Sequence, residues 1–468
     1  VVVKGTQNVA YTDEKGNFTL ANVPEDAVLI VRMMGYKQKE VPVTGRKLKI
    51  ELEGTAQQIE EVVITTGLFT RKKESFTGAT ATFTGEQLKS VGNQDVVKSL
   101  RTLDPSFTVV PNNLMGSNPN GRPQVEVRGQ SGISSFGSQL GIDPNQPLFI
   151  LDGFEVTLQQ VVDLDINRVA SITLLKDAAS TAVYGAKAAN GVVVIETIKP
   201  KAGTMRLTYT SDLTFDSPDL RDYNLMNASE KLEFERLAGR YRALFNSPTQ
   251  LDLDSMYNRR LGLVQQGVNS YWLKAPLKNA FSQRHSVYAD GGDDAVRYGI
   301  GANYRRNEGV MKGSGRNTYG INLDLNYRKG KFNISNKAFF TGVKSDESPY
   351  GAFSDFVQAN PYYKMYDESG NVSKFLDYAI DNYGGGIYMR NPLYDGTLNS
   401  FNTGKQQIFT DNFAIIYDIT KGLQAVGGIS FTVDNNGNES FKDPRAAEFE
   451  QVVNEQKGRY ISREGSTN

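Results

Sequence analysis

The feature that most constrains this chain is a two-residue alternation of apolar and polar side chains that begins after Thr204. Between positions 205 and 216 one face carries five apolar residues out of six and the other carries none. A period of two is typical of a β-strand, whose successive side chains point to opposite faces. The alternation returns at 296–305 and 319–328, and more weakly at 332–340, 409–417 and 423–433. We therefore predict about seven antiparallel strands with one apolar face.

The connections between these strands alternate in length, which bears on their environment. Tight turns stand at 291–294, 329–331 and 420–422, and longer loops run over 217–283, 307–315 and 345–405. Short turns at one end and long loops at the other are typical of outer-membrane barrels. The sequence has no run near 18 apolar residues, which excludes a transmembrane helix but not a barrel. Tyr288, Tyr304, Tyr319 and Tyr327, near strand ends, fit an aromatic girdle, although a soluble sandwich edge would suit them nearly as well.

Composition excludes several functional classes. Basic and acidic residues number 52 each, so the zero net charge argues against nucleic acid as a partner. Cysteine is absent and His285 is the only histidine, which removes thiol nucleophiles, disulfides and multi-histidine metal centres. We expect His285 to be a solvated or girdle residue. We predict no cofactor, no metal and no enzymatic activity.

Four acidic residues allow two interpretations. Asp152, Glu155, Asp163 and Asp165 include candidates for the carboxylate pair of a glycosidase, which needs two carboxyls at a fixed separation. The interpretation that we favour is ion pairing within their own domain, with Arg128, Arg168 and Lys176 as partners.

The region before the alternating strands divides into three parts. Residues 1–53 show short strand-like runs, at 9–12, 18–20, 27–33, 36–43 and 47–52, and we predict a small β-sandwich that lacks part of its first sheet. Residues 54–69 suit a linker. Residues 70–203 mix helical turns in 86–103 with strands at 124–129, 147–153, 171–176 and 192–197, which indicates an α+β domain; Asp177 is the expected N-cap of a helix that Gly185 ends.

Residues 171–197 carry a long motif that resembles the plug-domain signature of the SusC/RagA family of TonB-dependent outer-membrane transporters. Its defining positions here are Lys176, Asp177, Tyr184, Gly185, Ala189, Asn190 and Gly191. The segments 125–129, 150–153, 225–230 and 286–304 support the same resemblance.

The resemblance implies a mainly β architecture with three domains. Residues 1–53 would be the carboxypeptidase-regulatory-like β-sandwich, 70–203 the plug, and 204–468 the first part of a transmembrane antiparallel β-barrel. Such a barrel needs about 22 strands, so we expect the protein to continue past Asn468, because an open sheet edge in lipid would leave backbone groups unpaired. Glu61, Val62, Val63, Ile64 and Thr65, in the linker, stand where the family has its TonB box. An extended segment of this kind is suited to adding as a strand to a partner's sheet.

The implied function is active import across the bacterial outer membrane, with the sandwich and plug facing the periplasm. The implied partners are a SusD-like surface lipoprotein, TonB with its inner-membrane energising complex, the lipid bilayer, and an oligosaccharide or oligopeptide substrate. Two alternatives remain open at this stage. A soluble cell-surface adhesin or glycan-binding sandwich would explain the alternation but not the motif, and a secreted glycosidase lacks a clear acid pair.

The long loop over residues 345–405 is the candidate substrate-contact region because it is rich in aromatic residues. Tyr350, Phe353, Tyr362 and Tyr363 are the contact candidates, since aromatic faces among short polar groups suit sugar rings or peptide side chains. An equally open interpretation is that these rings pack the loop onto itself or onto a partner. In the first long loop we predict a helix at 229–245 with Leu232, Phe234, Leu237 and Leu244 as packing residues.

Overall fold

The structure is a computed structural model that describes most of the chain in two compact units. It describes residues 1–6, 8–13, 16–24, 26–32, 38–52, 63–65, 70–72, 79–92, 95–110, 118–127, 129, 145–177, 181–244, 248–381, 385–450 and 461–467. One unit comprises residues 1–64 with 70–76, and the other comprises 65–69 with 77–468.

The first unit contains a three-stranded antiparallel sheet. Its strands are β1 (Val2–Val3), β2 (Val28–Val31) and β3 (Lys39–Pro42), in the order β1-β2-β3. Val3 and Leu29 pair across the sheet and are each 2% exposed, which places a small apolar core on one face. The strands predicted at 9–12, 18–20 and 47–52 are wrong: those residues lie outside named strands, and Val9 makes only a single bridge to Val2. A further two-stranded sheet joins β4 (Val63–Thr65) to β5 (Thr70–Lys72).

The second unit begins with the predicted α+β domain. Its five-stranded sheet has the order β10-β9-β12-β11-β6, and its other elements pack around that sheet. The elements are β6 (Thr80–Thr84), α1 (Gly85–Ser90), α2 (Val96–Leu103), β7 (Phe107–Val110), β8 (Gln124–Val127), β9 (Leu148–Leu151), β10 (Phe154–Val156), α3 (Leu158–Asp163), β11 (Val169–Leu175), β12 (Val192–Thr197) and 3₁₀ turns at Ile166–Arg168 and Ala182–Ala188. Leu88, Leu100, Ile172, Leu174 and Val193 are fully buried in its core.

The first residues of the helix predicted after Asp177, 178–180, lie outside the described residues, so the predicted N-cap stays a prediction. The backbone N–H of Thr181 donates to Asp177 O at 3.0 Å, and Gly185, with φ +67°, interrupts the helical turns at Ala182–Ala188. The Asp177 carboxylate accepts a hydrogen bond from the backbone N–H of Ala79, which ties the start of the domain to the end of β11.

The alternating region forms one eight-stranded antiparallel sheet, one strand more than expected. The strands are β13 (Gly203–Asp216), β14 (Ala280–Gly292), β15 (Val296–Glu308), β16 (Gly315–Lys329), β17 (Phe332–Asp346), β20 (Phe401–Thr420), β21 (Leu423–Phe441) and β22 (Ile461–Thr467), each paired with its predecessor in this series. The additional strand, β22, was missed because its sequence, ISREGST, has no alternation of apolar and polar residues.

The sheet has its polar face against the α+β domain and its apolar face outward. Ile300 is 52% exposed and Ile321 is 57% exposed, whereas the charged side chains of Arg284, Arg305 and Asp324 are buried. Tyr304 and Tyr319 are opposite one another on the outward face. Tyr288 was expected in the girdle but shares the inner face, because it lies an even number of residues from Arg284. The sheet therefore reverses the usual arrangement of a water-soluble protein, in which large apolar patches are covered.

The two longest loops fold together above the sheet. Their elements are α4 (Ala228–Leu237), α5 (Gln250–Gln265), α6 (Phe353–Gln358), the hairpin β18 (Phe375–Ile380) and β19 (Gly386–Arg390), and 3₁₀ turns at Trp272–Lys274 and Asp395–Thr397. A further 3₁₀ turn, Ala447–Phe449, lies in the connection between β21 and β22. Helix α4 ends earlier than predicted, and of its proposed packing residues only Leu232 is buried; Phe234, Leu237 and Leu244 are exposed. Within the described part of the chain, no helix combines the length and apolar character needed to cross a membrane.

Candidate functional site

Asp163, at the end of α3, joins the α+β domain to the sheet. Its Oδ1 lies 3.1 Å from Arg305 Nη2, and its Oδ2 lies 2.7 Å from Arg316 Nη2. All three side chains are at most 9% exposed. Charges removed from water in this way are tolerated only when they are paired. Asp163 therefore fastens α3 to two neighbouring strands, β15 and β16.

A second pair of contacts follows within five residues along the chain. Asp165 accepts a hydrogen bond from the Ser286 hydroxyl and lies 4.0 Å from Arg284 Nη1. Arg168 pairs with Asp324, and its guanidinium lies 3.7 Å from the centre of the Tyr288 ring. That cation–π contact explains why Tyr288 faces inward, since a desolvated guanidinium gains from an aromatic face.

Asp152 makes a third anchor, from the turn between β9 and β10. It adopts a left-handed conformation with φ +50°, and its carboxylate accepts hydrogen bonds from Thr197 N at 2.9 Å and Thr197 Oγ1 at 2.7 Å. Lys337 of β17 lies 2.7 Å from Asp152 Oδ2. Burial acts to raise the pKa of Asp152, but Lys337 and Thr197 outweigh it, so the pKa is lowered from its ordinary value.

These contacts correct the ion pairs expected from the sequence. Asp152, Asp163 and Asp165 reach arginine and lysine residues of the sheet, while Glu155 pairs with Lys187 at 3.0 Å on the surface. Lys176 pairs with Asp104 at 2.6 Å, and Arg128 lies outside the described residues. These partners were not foreseen because they lie 119 to 185 positions away along the chain, on the polar face of the sheet. Each acidic residue is already held by a cation, an arrangement unsuited to a glycosidase pair.

The loops above the sheet are joined by a buried network around Arg260 of α5. Arg260 Nε lies 3.0 Å from Asp377 Oδ2, in the other long loop, and Arg260 Nη1 donates to the Tyr241 hydroxyl at 2.9 Å. Tyr241 in turn donates to Glu235 at 2.7 Å. The Arg260 side chain is 4% exposed. Sequence reasoning missed α5 because Gly262 and the mixed polar residues of 250–265 leave it without a clear apolar stripe.

Two of the four substrate-contact candidates belong to this network. Tyr362 and Tyr363 are 0% and 2% exposed, and their hydroxyls donate to Glu235 and Asp377. Burial raises the pKa of both tyrosines, and it raises the pKa of Tyr241 to about 12. Their rings lie in an apolar core that the two long loops share. Tyr350 and Phe353 remain half-buried at the surface of the same loop.

The remaining motif positions are placed as follows. Glu61 and Val62 lie outside the described residues, and Val63, Ile64 and Thr65 form the backbone of β4. In the plug signature, burial raises the pKa of Tyr184 to about 12, and Ala189 and Asn190 form the turn before β12. Gly191 has φ +92°, and a Cβ there would lie 3.1 Å from Leu175 O and 3.2 Å from Val127 Cγ1, so this position favours glycine.

His285 lies on the outward face of the sheet, where its Nδ1 is 2.8 Å from the Tyr209 hydroxyl and the two rings stack. Among the residues that the structure describes, no group of three or more potential metal ligands is present.

Comparison with known proteins agrees with this arrangement. Residues 72–192 match the model of the TonB-dependent Receptor Plug Domain, and residues 1–64 match that of the CarboxypepD_reg-like domain. The chain is 28% identical over 381 residues to the TonB-dependent receptor SusC of Bacteroides thetaiotaomicron, covering 78% of this chain and 34% of that protein. The chain carries a TonB-dependent receptor plug domain and is similar to receptors of the SusC/RagA family.

A second relative shows the same limited coverage. TonB-dependent receptor P39 of Formosa agariphila is 29% identical over 337 residues, covering 71% of this chain and 30% of the relative. The chain thus spans about a third of the length of these two relatives. The solved structure of the RagAB peptide importer in its open-open state has the same fold, with a TM-score of 0.61 at 20% identity, over 82% of this chain and 43% of that one. The α+β domain is accordingly termed the plug, and the eight-stranded sheet the barrel sheet.

Proposed function

We propose that the protein is a TonB-dependent importer of the bacterial outer membrane. The observation that carries this proposal is the polarity of the barrel sheet, apolar toward the outside and charged toward the plug. Such a sheet is stable in lipid, where the outward side chains replace water contacts with acyl chains. The ionic anchors at Asp152, Asp163 and Arg168 hold the plug inside the lumen at rest.

The proposed transport step is mechanical. TonB, energised from the inner membrane, would bind the segment Glu61–Thr65 by strand addition and pull on the plug. That segment precedes β6, which is an edge strand of the plug sheet. An edge strand is paired with one neighbour only, so pulling it out of the sheet breaks fewer hydrogen bonds than pulling out a central strand.

We propose an oligosaccharide as the substrate, with an oligopeptide as the second candidate because a structural relative is a peptide importer. A SusD-like surface lipoprotein would hold the substrate over the two long loops. Their joint core gives such a lipoprotein a firm platform, since α5 and the β18–β19 hairpin are tied together through Arg260 and Asp377.

Deletion of residues 61–65 from the full-length protein tests the proposal. We expect the deletion to leave membrane insertion and substrate binding unchanged and to abolish uptake, because only the connection to TonB is lost. A matched control replaces the five residues by a Gly/Ser segment of the same length, which keeps the spacing and should also abolish uptake. Unchanged uptake in both variants would contradict the TonB assignment.

A further inference from the structure

A cavity of about 640 Å³ lies between the upper ends of β17, β20 and β21 and the folded loop above them. This volume is within the range of about 300–1,000 Å³ that is common for ligand pockets. It is lined by side chains from separate parts of the chain, including Glu347, Tyr350, Asp355, Gln358, Asn402 and Phe441. Glu347 also accepts a hydrogen bond from the plug residue Asn118 at 2.9 Å, so the cavity borders the plug.

The charges around the cavity are predominantly negative. Four carboxylates, those of Glu347, Asp355, Asp395 and Glu448, face two cations, Arg390 and Lys442. Lys442 lies 3.3 Å from Asp395 and 3.7 Å from Glu448, and its charge is therefore compensated within the protein. This leaves one cation, Arg390, and two carboxylates, those of Glu347 and Asp355, in the lining. A cavity with this balance repels an anionic ligand, since like charges in a partly dehydrated space interact strongly.

The uncharged groups of the lining suit hydroxyl-rich ligands. Side-chain amides such as Gln358 and Asn402 both donate and accept hydrogen bonds, as sugar hydroxyls do, and the carboxylate of Asp355 accepts from hydroxyl donors. Tyr350 and Phe441 add aromatic surface on which the C–H face of a sugar ring can pack. Aromatic walls with a few polar groups are the usual composition of a specific small-molecule site.

We propose that this cavity is a charge filter that binds uncharged oligosaccharide segments and rejects anionic ones. The inference rests on the proposed import function and adds the class of glycan to it. Asp355 is the central residue, because it is exposed at the cavity and belongs to the loop that covers it. Glu347 is less suited to mutation because it also holds the plug.

The test measures binding to the full-length, detergent-solubilised protein by titration calorimetry. The probes are uncharged hexasaccharides (malto-, cello-, xylo-, manno- and laminarihexaose), the anionic hexagalacturonate, and an uncharged decapeptide. We expect at least one uncharged hexasaccharide to bind and hexagalacturonate not to bind. Asp355→Asn should weaken the binding about tenfold, as expected for loss of one hydrogen bond to a charged acceptor.

A charge reversal makes the test independent of simple loss of folding. Asp355→Lys should allow hexagalacturonate to bind at low ionic strength, with an affinity that falls as salt is added. The matched control is Glu368→Lys, which reverses an exposed carboxylate of the same loop outside the cavity lining and should change neither ligand's binding.

Four results would overturn the inference: hexagalacturonate binding the unmodified protein as tightly as the uncharged sugars, binding confined to the peptide, absence of binding to every uncharged sugar, or no response to Asp355→Asn. Uptake is measured separately in cells with and without TonB. Uptake that did not need TonB would defeat the proposed import function while leaving the binding result intact.

Discussion

Asp163 and Arg316 form a buried two-point ion pair between the plug and strand β16, with Oδ1 3.2 Å from Nε and Oδ2 2.7 Å from Nη2. The partners are 153 positions apart in sequence. Arg305 shares the same carboxylate, so one acidic residue compensates two buried cations. This ion pair therefore holds the plug on the barrel sheet, and removing one partner would leave a buried charge uncompensated.

We predict that Asp163→Asn loosens the plug strongly. The substitution keeps the shape but leaves Arg305 and Arg316 without a counter-charge, and breaking a buried pair in this way costs about 3–5 kcal/mol. In the full-length protein the plug should become protease-sensitive at lower urea concentration while the barrel stays folded. Glu155→Gln, which breaks the exposed pair with Lys187, is the matched control and should have little effect. Equal urea sensitivity of both variants would contradict the anchoring role of Asp163.

Asp152 should make the plug sensitive to acid. Its folded-state pKa is lowered, so the stabilisation is present above the unfolded value of about 3.9 and is lost as pH falls through the folded value. We expect hydrogen exchange in residues 148–156 to stay slow down to about pH 4 and to rise below it. Asp152→Asn tolerates the left-handed backbone but cannot pair with Lys337, so exchange should be faster at neutral pH and less dependent on acid. A wild-type profile in that variant would show that the charge of Asp152 is unimportant.

Trp272 offers a direct report on the joined loops. It is the only tryptophan, it is 2% exposed, and its indole N–H donates to Asn360 O in the other long loop at 2.9 Å. Arg260→Met leaves Asp377 and Glu235 buried without their cation, so the loops should separate and the Trp272 emission should move to longer wavelength.

The matched control for that experiment is Arg236→Met, which removes an exposed i,i+3 pair with Glu233 on α4 and should leave the emission unchanged. Arg260→Lys should restore the emission only in part, because lysine lacks the planar fork that contacts Asp377 and Tyr241 together. Unshifted emission in Arg260→Met would mean that the loops are held by their apolar core alone.

The buried tyrosines of the loops should ionise late in an alkaline titration. Burial raises the pKa of Tyr362, Tyr363 and Tyr241, so the unfolded chain loses protons first as pH passes about 10. The folded loops then hold more protons than the unfolded chain, and their stability falls as pH rises further. Phenolate absorbance should show a late phase that Tyr362→Phe reduces. A titration complete near pH 10, with no late phase, would contradict the buried network.

The sequence predicted the structure best for the strands of the barrel sheet, in which apolar side chains alternate with polar ones and face outward. The strands predicted at 205–216, 296–305 and 319–328 lie within the observed strands Gly203–Asp216, Val296–Glu308 and Gly315–Lys329, because apolar and polar residues alternate along them. The plug strand at Val192–Thr197 was equally clear, since it is a short β-branched run between turn residues. Family resemblance, and not periodicity, identified the plug itself.

The contacts that hold the site together were not accessible in the same way. The partners of Asp163 and Asp152 are arginine and lysine residues on the polar face of the barrel sheet. The alternating pattern alone predicts that such residues are exposed to water. Tyr362 and Tyr363 were predicted as ligand-contact residues because nothing in the neighbouring sequence shows that Arg260, about 100 positions earlier, packs against both rings. Side-chain pairing across such distances depends on the register of the strands and the folding of the loops.

The outward face of the barrel sheet supports a final prediction, which separates lipid contact from simple exposure. Ile321 on β16 and Ile387 in the β18–β19 hairpin are 57% and 58% exposed, so they differ in location and not in burial. If the sheet spans the outer membrane, Ile321→Arg places a charge among acyl chains, at a cost of about 2–4 kcal/mol near the midplane, whereas Ile387→Arg places it in water. In assembly from urea into lipid vesicles, Ile321→Arg should therefore fold to a smaller extent than the unmodified full-length protein, and Ile387→Arg should fold normally. Equal folding of the two variants would place both isoleucines in water and return the sheet to the soluble alternative.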